Sequence, residues 1–243
     1  MTSDSGTSRL STKDISPSDR LIFALDVASA DDAHALVEGL GDSVGFYKVG
    51  LELCMAGGYF ELLAWLRERG KKVFADLKFY DIPQTVGRAV ARLSDHDVQF
   101  CTVHGDRSMI EAAVKHRGEV SVLAVTVLTS LDENDLREMG YSGTPQDLAL
   151  QRARTALESG CDGVISSGLE APTIRAALGY DLIVVCPGVR PAAQDDDQKR
   201  VVTVEQAFLN GADHIVVGRP IRDADDPRRS AVQIQEAIAG IFT

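Results

Sequence analysis

Residues 21–29 read Leu21-Ile22-Phe23-Ala24-Leu25-Asp26-Val27-Ala28-Ser29: an unbroken apolar run, one aspartate, and a turn without glycine. An apolar run that does not alternate with polar residues suits a strand covered on both faces, as in a parallel sheet. A doubly wound nucleotide-binding sheet usually carries a glycine-rich turn after its first strand. Here that turn is Asp26-Val27-Ala28-Ser29, which points away from that architecture. A helix follows over 30–40, with Ala33, Leu36, Val37 and Leu40 at helical spacing and Asp31 and Asp32 in its first turn.

The same strand-then-helix unit recurs to the end of the chain. Further strands are predicted over 44–49, 72–76, 98–103, 121–128, 163–166, 181–186 and 214–217. Their helices are predicted over 58–69, 84–95, 108–116, 145–159, 171–177, 203–210 and 229–242, with a longer insertion before the helix at 145. Eight such units without a compositional break predict one α/β domain, a (β/α)₈ TIM barrel over residues 20–243. Residues 1–19, rich in Ser, Thr and Asp, read as a short disordered tail, with Leu10 and Ile15 available to pack across the barrel bottom.

The 243 residues carry 36 acidic and 25 basic side chains, a net charge of −11. That surplus argues against a nucleic-acid or anionic-membrane partner, both of which need a basic face. The most apolar segment, 120–128, is too short to span a bilayer, and the first residues lack the apolar stretch of a signal peptide. Cys54, Cys101, Cys161 and Cys186 are scattered, with no C-x-x-C pair, and read as buried thiols in a reducing compartment. The expectation is a soluble cytoplasmic protein.

Chemistry on such a barrel sits at the carboxyl ends of the strands. Those positions hold Asp26, Lys48, Asp76 with Lys78, His104, Thr129 with Ser130, Pro187-Gly188 and Gly218-Arg219. Residues two apart on an extended strand share a face, so Asp76 and Lys78 should both point into the mouth, with Lys48 reaching Asp76 from the next strand. An alternation of Lys and Asp holds each group ionised and fixes an ammonium where negative charge can develop. Arg190 and Arg219, in the loops after strands seven and eight, suit bidentate recognition of a phosphate. His104 has no second ligand at metal spacing and reads as a structural hydrogen-bonding group.

These blocks together resemble the orotidine 5′-monophosphate decarboxylase family in its compact bacterial form. The segment Asp76-Leu77-Lys78-Phe79-Tyr80-Asp81-Ile82-Pro83-Gln84-Thr85 is similar to that family's D-x-K-x-x-D-I-x-x-T motif at every specified position. Ala24-Leu25-Asp26, Lys48-Val49-Gly50, residues 126–130, residues 187–191 and residues 217–220 extend the resemblance from 21 to about 242. The resemblance implies decarboxylation of orotidylate to uridylate without metal or organic cofactor, in a homodimer with active sites at the interface. It implies Lys78 as proton donor to C6, Asp76 beside the departing carboxylate, and Asp26 and Lys48 at the ribose. Asp81, Ile82 and Thr85 would enter the neighbouring subunit's site, and Thr129 would meet the pyrimidine edge. Gly218, Arg219 and Gln198 would hold the phosphate and Arg190 would steady the closing loop; Gln194 is the alternative to Gln198. A Mg²⁺-dependent sugar-phosphate barrel shares Asp76, Lys78 and Asp81, but the Ile82-Pro83-x-Thr85 continuation and the Thr129 block argue against it. Intact Asp76 and Lys78 argue against a non-catalytic phosphate-binding barrel.

Overall fold

The computed structural model describes residues 9–190 and 201–242. Eight parallel strands close into a barrel in sequence order: β1 (Leu21–Ala24), β2 (Phe46–Gly50), β3 (Lys72–Phe79), β4 (Phe100–His104), β5 (Ser121–Val125), β6 (Gly163–Ile165), β7 (Ile183–Cys186) and β8 (His214–Val217). β1 pairs with both β2 and β8, which completes the expected (β/α)₈ architecture. The outer layer holds α1 (Ala30–Leu40), α2 (Leu51–Ala56), α3 (Tyr59–Glu68), α4 (Pro83–Ser94), α5 (Arg107–His116) and α6 (Glu133–Glu138). It continues with α7 (Pro145–Glu158), α8 (Ala171–Leu178), α9 (Val204–Leu209), α10 (Arg219–Arg222) and α11 (Pro227–Ile241). The short helices α2, α6 and α10 lie where the sequence pattern shows only loop or insertion, since they are too brief to display a periodicity.

Strand alternation divides the core into two layers. Ile22, Ala24, Phe46, Phe74, Phe100, Leu123, Val185 and Val216 fill the barrel interior. The residues between them, such as Phe23, Tyr47, Val73, Cys101 and Val184, face outward onto Leu62, Leu63 and Leu66 of α3 and Ile234 and Ile238 of α11. This double coverage is why the strands are apolar on both faces. The pleat that stacks Phe46, Phe74 and Phe100 carries Lys48, Asp76 and Thr102 two residues further along β2, β3 and β4. Apolar packing at the bottom thus sets the height of the polar groups above it.

Of the expected tail, residues 9–19 are described, and they lie against the barrel bottom. Leu10 packs on the outer core, and a single 3₁₀ turn, Pro17–Arg20, leads into β1. Asp213, fully buried just before β8, is the anchor. It accepts from Arg175 Nη2 (2.7 Å), Lys13 Nζ (3.2 Å), the Val184 amide (2.8 Å) and the Ser11 hydroxyl. Arg20 donates to the Asp213 carbonyl at 3.1 Å and stacks on the Phe242 ring.

His214 sits at the base of the interior, edge-on to Phe46 and Phe100, with Nδ1 2.9 Å from the Asp19 carbonyl oxygen. Burial pushes its pKa down from 6.5 to about 4. The folded state therefore keeps a neutral imidazole through a range where the unfolded chain binds a proton. Stability should fall as pH drops from 6.5 towards 4, by on the order of 3 kcal/mol from this residue. Urea unfolding of wild type and His214→Gln at pH 7 and pH 4.5 checks this. The wild type should lose more stability across that interval than the variant, and equal losses would refute it.

Candidate active site

A cavity of about 470 Å³ opens at the carboxyl ends of the strands. Eight of the expected site residues line it: Asp26, Lys48, Asp76, Lys78, Thr129, Arg190, Gly218 and Arg219. Phe74, Val125, Ile165 and Val216 form its apolar floor. Among the described lining residues five cations (Lys48, Lys78, Arg190, Arg219, Arg222) stand against two carboxylates (Asp26, Asp76), so the cavity opposes the acidic balance of the chain.

The charged array runs across the mouth of β1, β2 and β3. Lys48 Nζ lies 3.0 Å from Asp26 Oδ1 and 3.4 Å from Asp76 Oδ2, and Lys78 Nζ lies 2.8 Å from the same Asp76 oxygen. Asp76 thus lies between two ammoniums, as the alternation implied. Burial opposes its charge, but Lys48 and Lys78 outweigh burial and hold the carboxyl below the usual carboxylate range. Burial likewise opposes the charge on Lys48, and Asp76 and Asp26 overcome it, so its ammonium is held above the usual lysine range. Both groups are ionised at neutral pH.

The route by which Lys78 reaches this position differs from the simple extended reading. β3 runs three residues beyond Asp76, and its pairing with β4 slips between Ala75↔Cys101 and Phe79↔Val103. Lys78 has φ +47°, left-handed for a non-glycine residue. Its amide donates to Thr102 Oγ1 at 2.9 Å, and the Thr102 hydroxyl donates to Asp76 Oδ1 at 2.8 Å. Nothing in the local pattern of β3 signals this bulge. Thr102 was legible only as the one polar residue inside the otherwise apolar Phe100-Cys101-Thr102-Val103.

The insertion after β5 packs Val127 and Leu136 against Leu148 and Ala149 of α7 in a small separate core, and α6 opens with a capping box between Asp132 and Asp135. That support holds Thr129 buried at the cavity wall. β5 itself ends at Val125, not Leu128, and Thr126 just beyond it bonds the Ile165 carbonyl with both its amide and its hydroxyl. Arg222 is a lining residue that the strand-end pattern misses: it lies one turn into α10 and donates to the Asp26 carbonyl at 2.7 Å. His104 departs from its expected hydrogen-bonding role. Its buried Nδ1 has no partner among the described residues, and its ring packs on Tyr80 at 4.5 Å between centroids.

Asp81, Ile82 and Thr85 do not line this cavity. All three are exposed at the start of α4, where Asp81 Oδ1 accepts from the Ile82 amide at 2.6 Å. Gln194 and Gln198 lie outside the described residues. Among the described residues no cluster of His, Cys, Asp and Glu is arranged to hold a metal ion, and no helix is long and apolar enough to cross a membrane.

Comparison with known proteins agrees with this geometry. Residues 19–234 match the Orotidine 5'-phosphate decarboxylase / HUMPS family. The chain is 57% identical over 235 residues to orotidine 5'-phosphate decarboxylase of Methylococcus capsulatus, covering 96% of this chain and 97% of that protein. It is 52% identical over 223 residues to the enzyme of the same name from Xanthomonas euvesicatoria, covering 90% and 92%. The crystal structure of orotidine 5'-phosphate decarboxylase from Lactobacillus acidophilus superposes with a TM-score of 0.79 at 35% identity, covering 92% of this chain and 98% of that one.

Proposed function

The chain belongs to the orotidine 5'-phosphate decarboxylase / HUMPS family, and from that premise we propose that it converts orotidine 5′-monophosphate to uridine 5′-monophosphate in pyrimidine nucleotide synthesis. The observation that carries this reading is the Asp76 carboxylate held between Lys48 and Lys78 in a cavity that Arg190 and Arg219 also line. A pair of arginines suits a phosphate, and a fixed ammonium suits a carbon that gains negative charge.

In this reaction the bond from C6 to the carboxylate breaks, carbon dioxide leaves, and the electron pair remains on C6. Lys78 delivers its proton to C6 and is reprotonated from solvent. No electron sink lies in the pyrimidine ring, so the barrier must fall through electrostatics. Enzymes lower barriers by roughly 8–23 kcal/mol, and this one needs the upper part of that range. The Lys78 ammonium, already oriented by Asp76, stabilises charge that exists only as the bond breaks. Asp76 lies where the substrate carboxylate begins, so it disfavours the ground state more than the carbanion. Asp26 and Lys48 bind the ribose and Thr129 meets the pyrimidine edge. Gly218, Arg219 and Gln198 (or its alternative Gln194, both outside the described residues) hold the phosphate, with Arg190 supporting them.

The working unit is a homodimer. Asp81, Ile82 and Thr85 complete the site of the neighbouring subunit, a reading supported by their exposure and by the exposed apolar surface of Leu51, Met55, Tyr80 and Ile82 beside the mouth. The four thiols, none of them disulfide-bonded, suit the reducing cytoplasm as its compartment.

The decisive experiment follows the loss of orotidylate absorbance on adding the purified protein, with and without a chelator. Turnover unaffected by the chelator is expected; no turnover, or turnover that requires Mg²⁺, would overturn the assignment. Arg219→Ala should lower kcat/KM by roughly 10- to 100-fold, the worth of a charged hydrogen bond. An unaltered kcat/KM would place the phosphate elsewhere.

A further inference from the structure

We propose that Thr102 is a positioning residue for the reaction, a single buried hydroxyl that locks the proton donor Lys78 and its neighbour Asp76 into one geometry. The inference rests on the decarboxylase reading above and deepens it. Thr102 is fully buried in the middle of β4. Where the β3–β4 ladder slips, three residues of β3 (Asp76, Leu77, Lys78) stand opposite one residue of β4, and that residue is Thr102. An amide in such a bulge loses its ladder partner, and leaving it unpaired in a buried site is costly. Thr102 Oγ1 takes the Lys78 amide at 2.9 Å and gives its own proton to Asp76 Oδ1 at 2.8 Å. A hydroxyl has one donor and two acceptor sites, so both contacts are made at once.

The consequence concerns the two atoms that meet the substrate. With Oδ1 of Asp76 taken up by Thr102, Oδ2 alone faces the ammoniums, at 2.8 Å from Lys78 and 3.4 Å from Lys48. The same hydroxyl holds the Lys78 backbone at φ +47°, a conformation that residues with a Cβ rarely adopt and that would otherwise relax toward an extended strand. Without Thr102 the carboxylate is free to turn and the lysine backbone to straighten, and either shift moves Nζ from its place against C6. The β-branch of threonine adds stiffness, since it restricts χ1 on a strand. Arg190, Arg219 and Thr129 line the cavity from other parts of the chain, so ligand binding should not depend on this contact.

The test compares Thr102→Val, which keeps the shape and removes the hydroxyl, with Thr102→Ser, which keeps the hydroxyl. Thr102→Val should lower kcat by roughly 10- to 100-fold, the worth of a hydrogen bond to a charged group expressed in the transition state, with KM for orotidylate altered less than about threefold. Thr102→Ser should restore kcat to within about threefold of wild type. Should Thr102→Val fail to fold, Thr102→Ala is read in its place against Thr102→Ser. A kcat near wild type without the hydroxyl, a loss confined to KM, or a serine variant as slow as the valine variant would overturn the inference. Wild-type protein in the same assay separates the two claims: if it does not decarboxylate orotidylate, the functional assignment fails before the role of Thr102 is reached.

Discussion

Replacing Lys78 with alanine should lower kcat for orotidylate by at least roughly 10⁴-fold, the combined scale of losing a proton donor and the nearest positive charge. The side chain is one-third exposed, and it opens into the cavity. Its removal therefore leaves the core intact. Asp76 would keep Lys48 and the Thr102 hydroxyl as partners, so no carboxylate is stranded without a donor. Uridylate carries no carboxylate at C6 and, on the proposed reading of the site, is held through phosphate, ribose and pyrimidine edge. Its affinity should consequently change by less than about tenfold, a loss of under 1.4 kcal/mol. Single-turnover decarboxylation and calorimetric titration with uridylate measure the two quantities. Near-normal turnover in this variant would remove Lys78 from the chemistry, and a parallel collapse of uridylate affinity would make it a binding residue.

The second large effect lies at the opposite end of the barrel. Asp213→Ala should destabilise the protein by about 3–5 kcal/mol, because it strands the buried guanidinium of Arg175. For a chain of this length that lowers Tm by on the order of 10 °C. Arg175 would still donate to the carbonyls of Gly211 and Leu182, at 2.8 Å each, which is why the expected loss is not larger. The amide of Val184 and the hydroxyl of Ser11 would lose their acceptor, and residues 9–20 should gain faster hydrogen exchange. Burial opposes the charge of Asp213, while Arg175, Ser11 and Lys13 together hold its carboxyl below the usual range. A carboxylate whose pKa is lowered on folding contributes its full stability above the unfolded value near 3.8 and loses it as pH falls through the folded value. The variant should therefore show a smaller loss below pH 4 than wild type. Thermal scans at pH 7 and pH 3.5 measure both effects, with Arg107→Ala as the comparison. That variant breaks the half-exposed Arg107–Glu158 pair and should cost at most about 1 kcal/mol. Equal shifts in the two variants would remove Asp213 from its place as an anchor.

Much of the candidate site was legible in the residues because a barrel maps sequence onto space in a simple way. A residue just past an apolar run is at the mouth, and the strands follow one another in order. Asp26, Lys48, Asp76, Thr129 and Arg219 were found by that rule, and the structure brings them to one cavity. Lys78 reaches the same cavity by another route. The rule assumed a regular strand, whereas the backbone there is bulged and left-handed, held by a hydroxyl from the next strand. Arg222 escaped because it lies past the strand end, on a short helix that returns it to the mouth. Leu10 packs at the barrel bottom as its apolar character allowed, but the polar anchoring of residues 11–20 escaped because it centres on Asp213, some two hundred positions away.

The sequence by itself determined the number of strands, the closed barrel, the acidic outer surface and the identity of the groups at the mouth. Those features depend on periodicity and on short-range chemistry, which a linear pattern records. Only the tertiary structure decided which oxygen of Asp76 faces the ammoniums, why Lys78 tolerates its backbone conformation, and how residues 11–20 are anchored at the barrel bottom. Each is a contact between residues far apart in the chain. Its strength depends on burial, since a hydrogen bond or charge removed from water is costly to leave unmade.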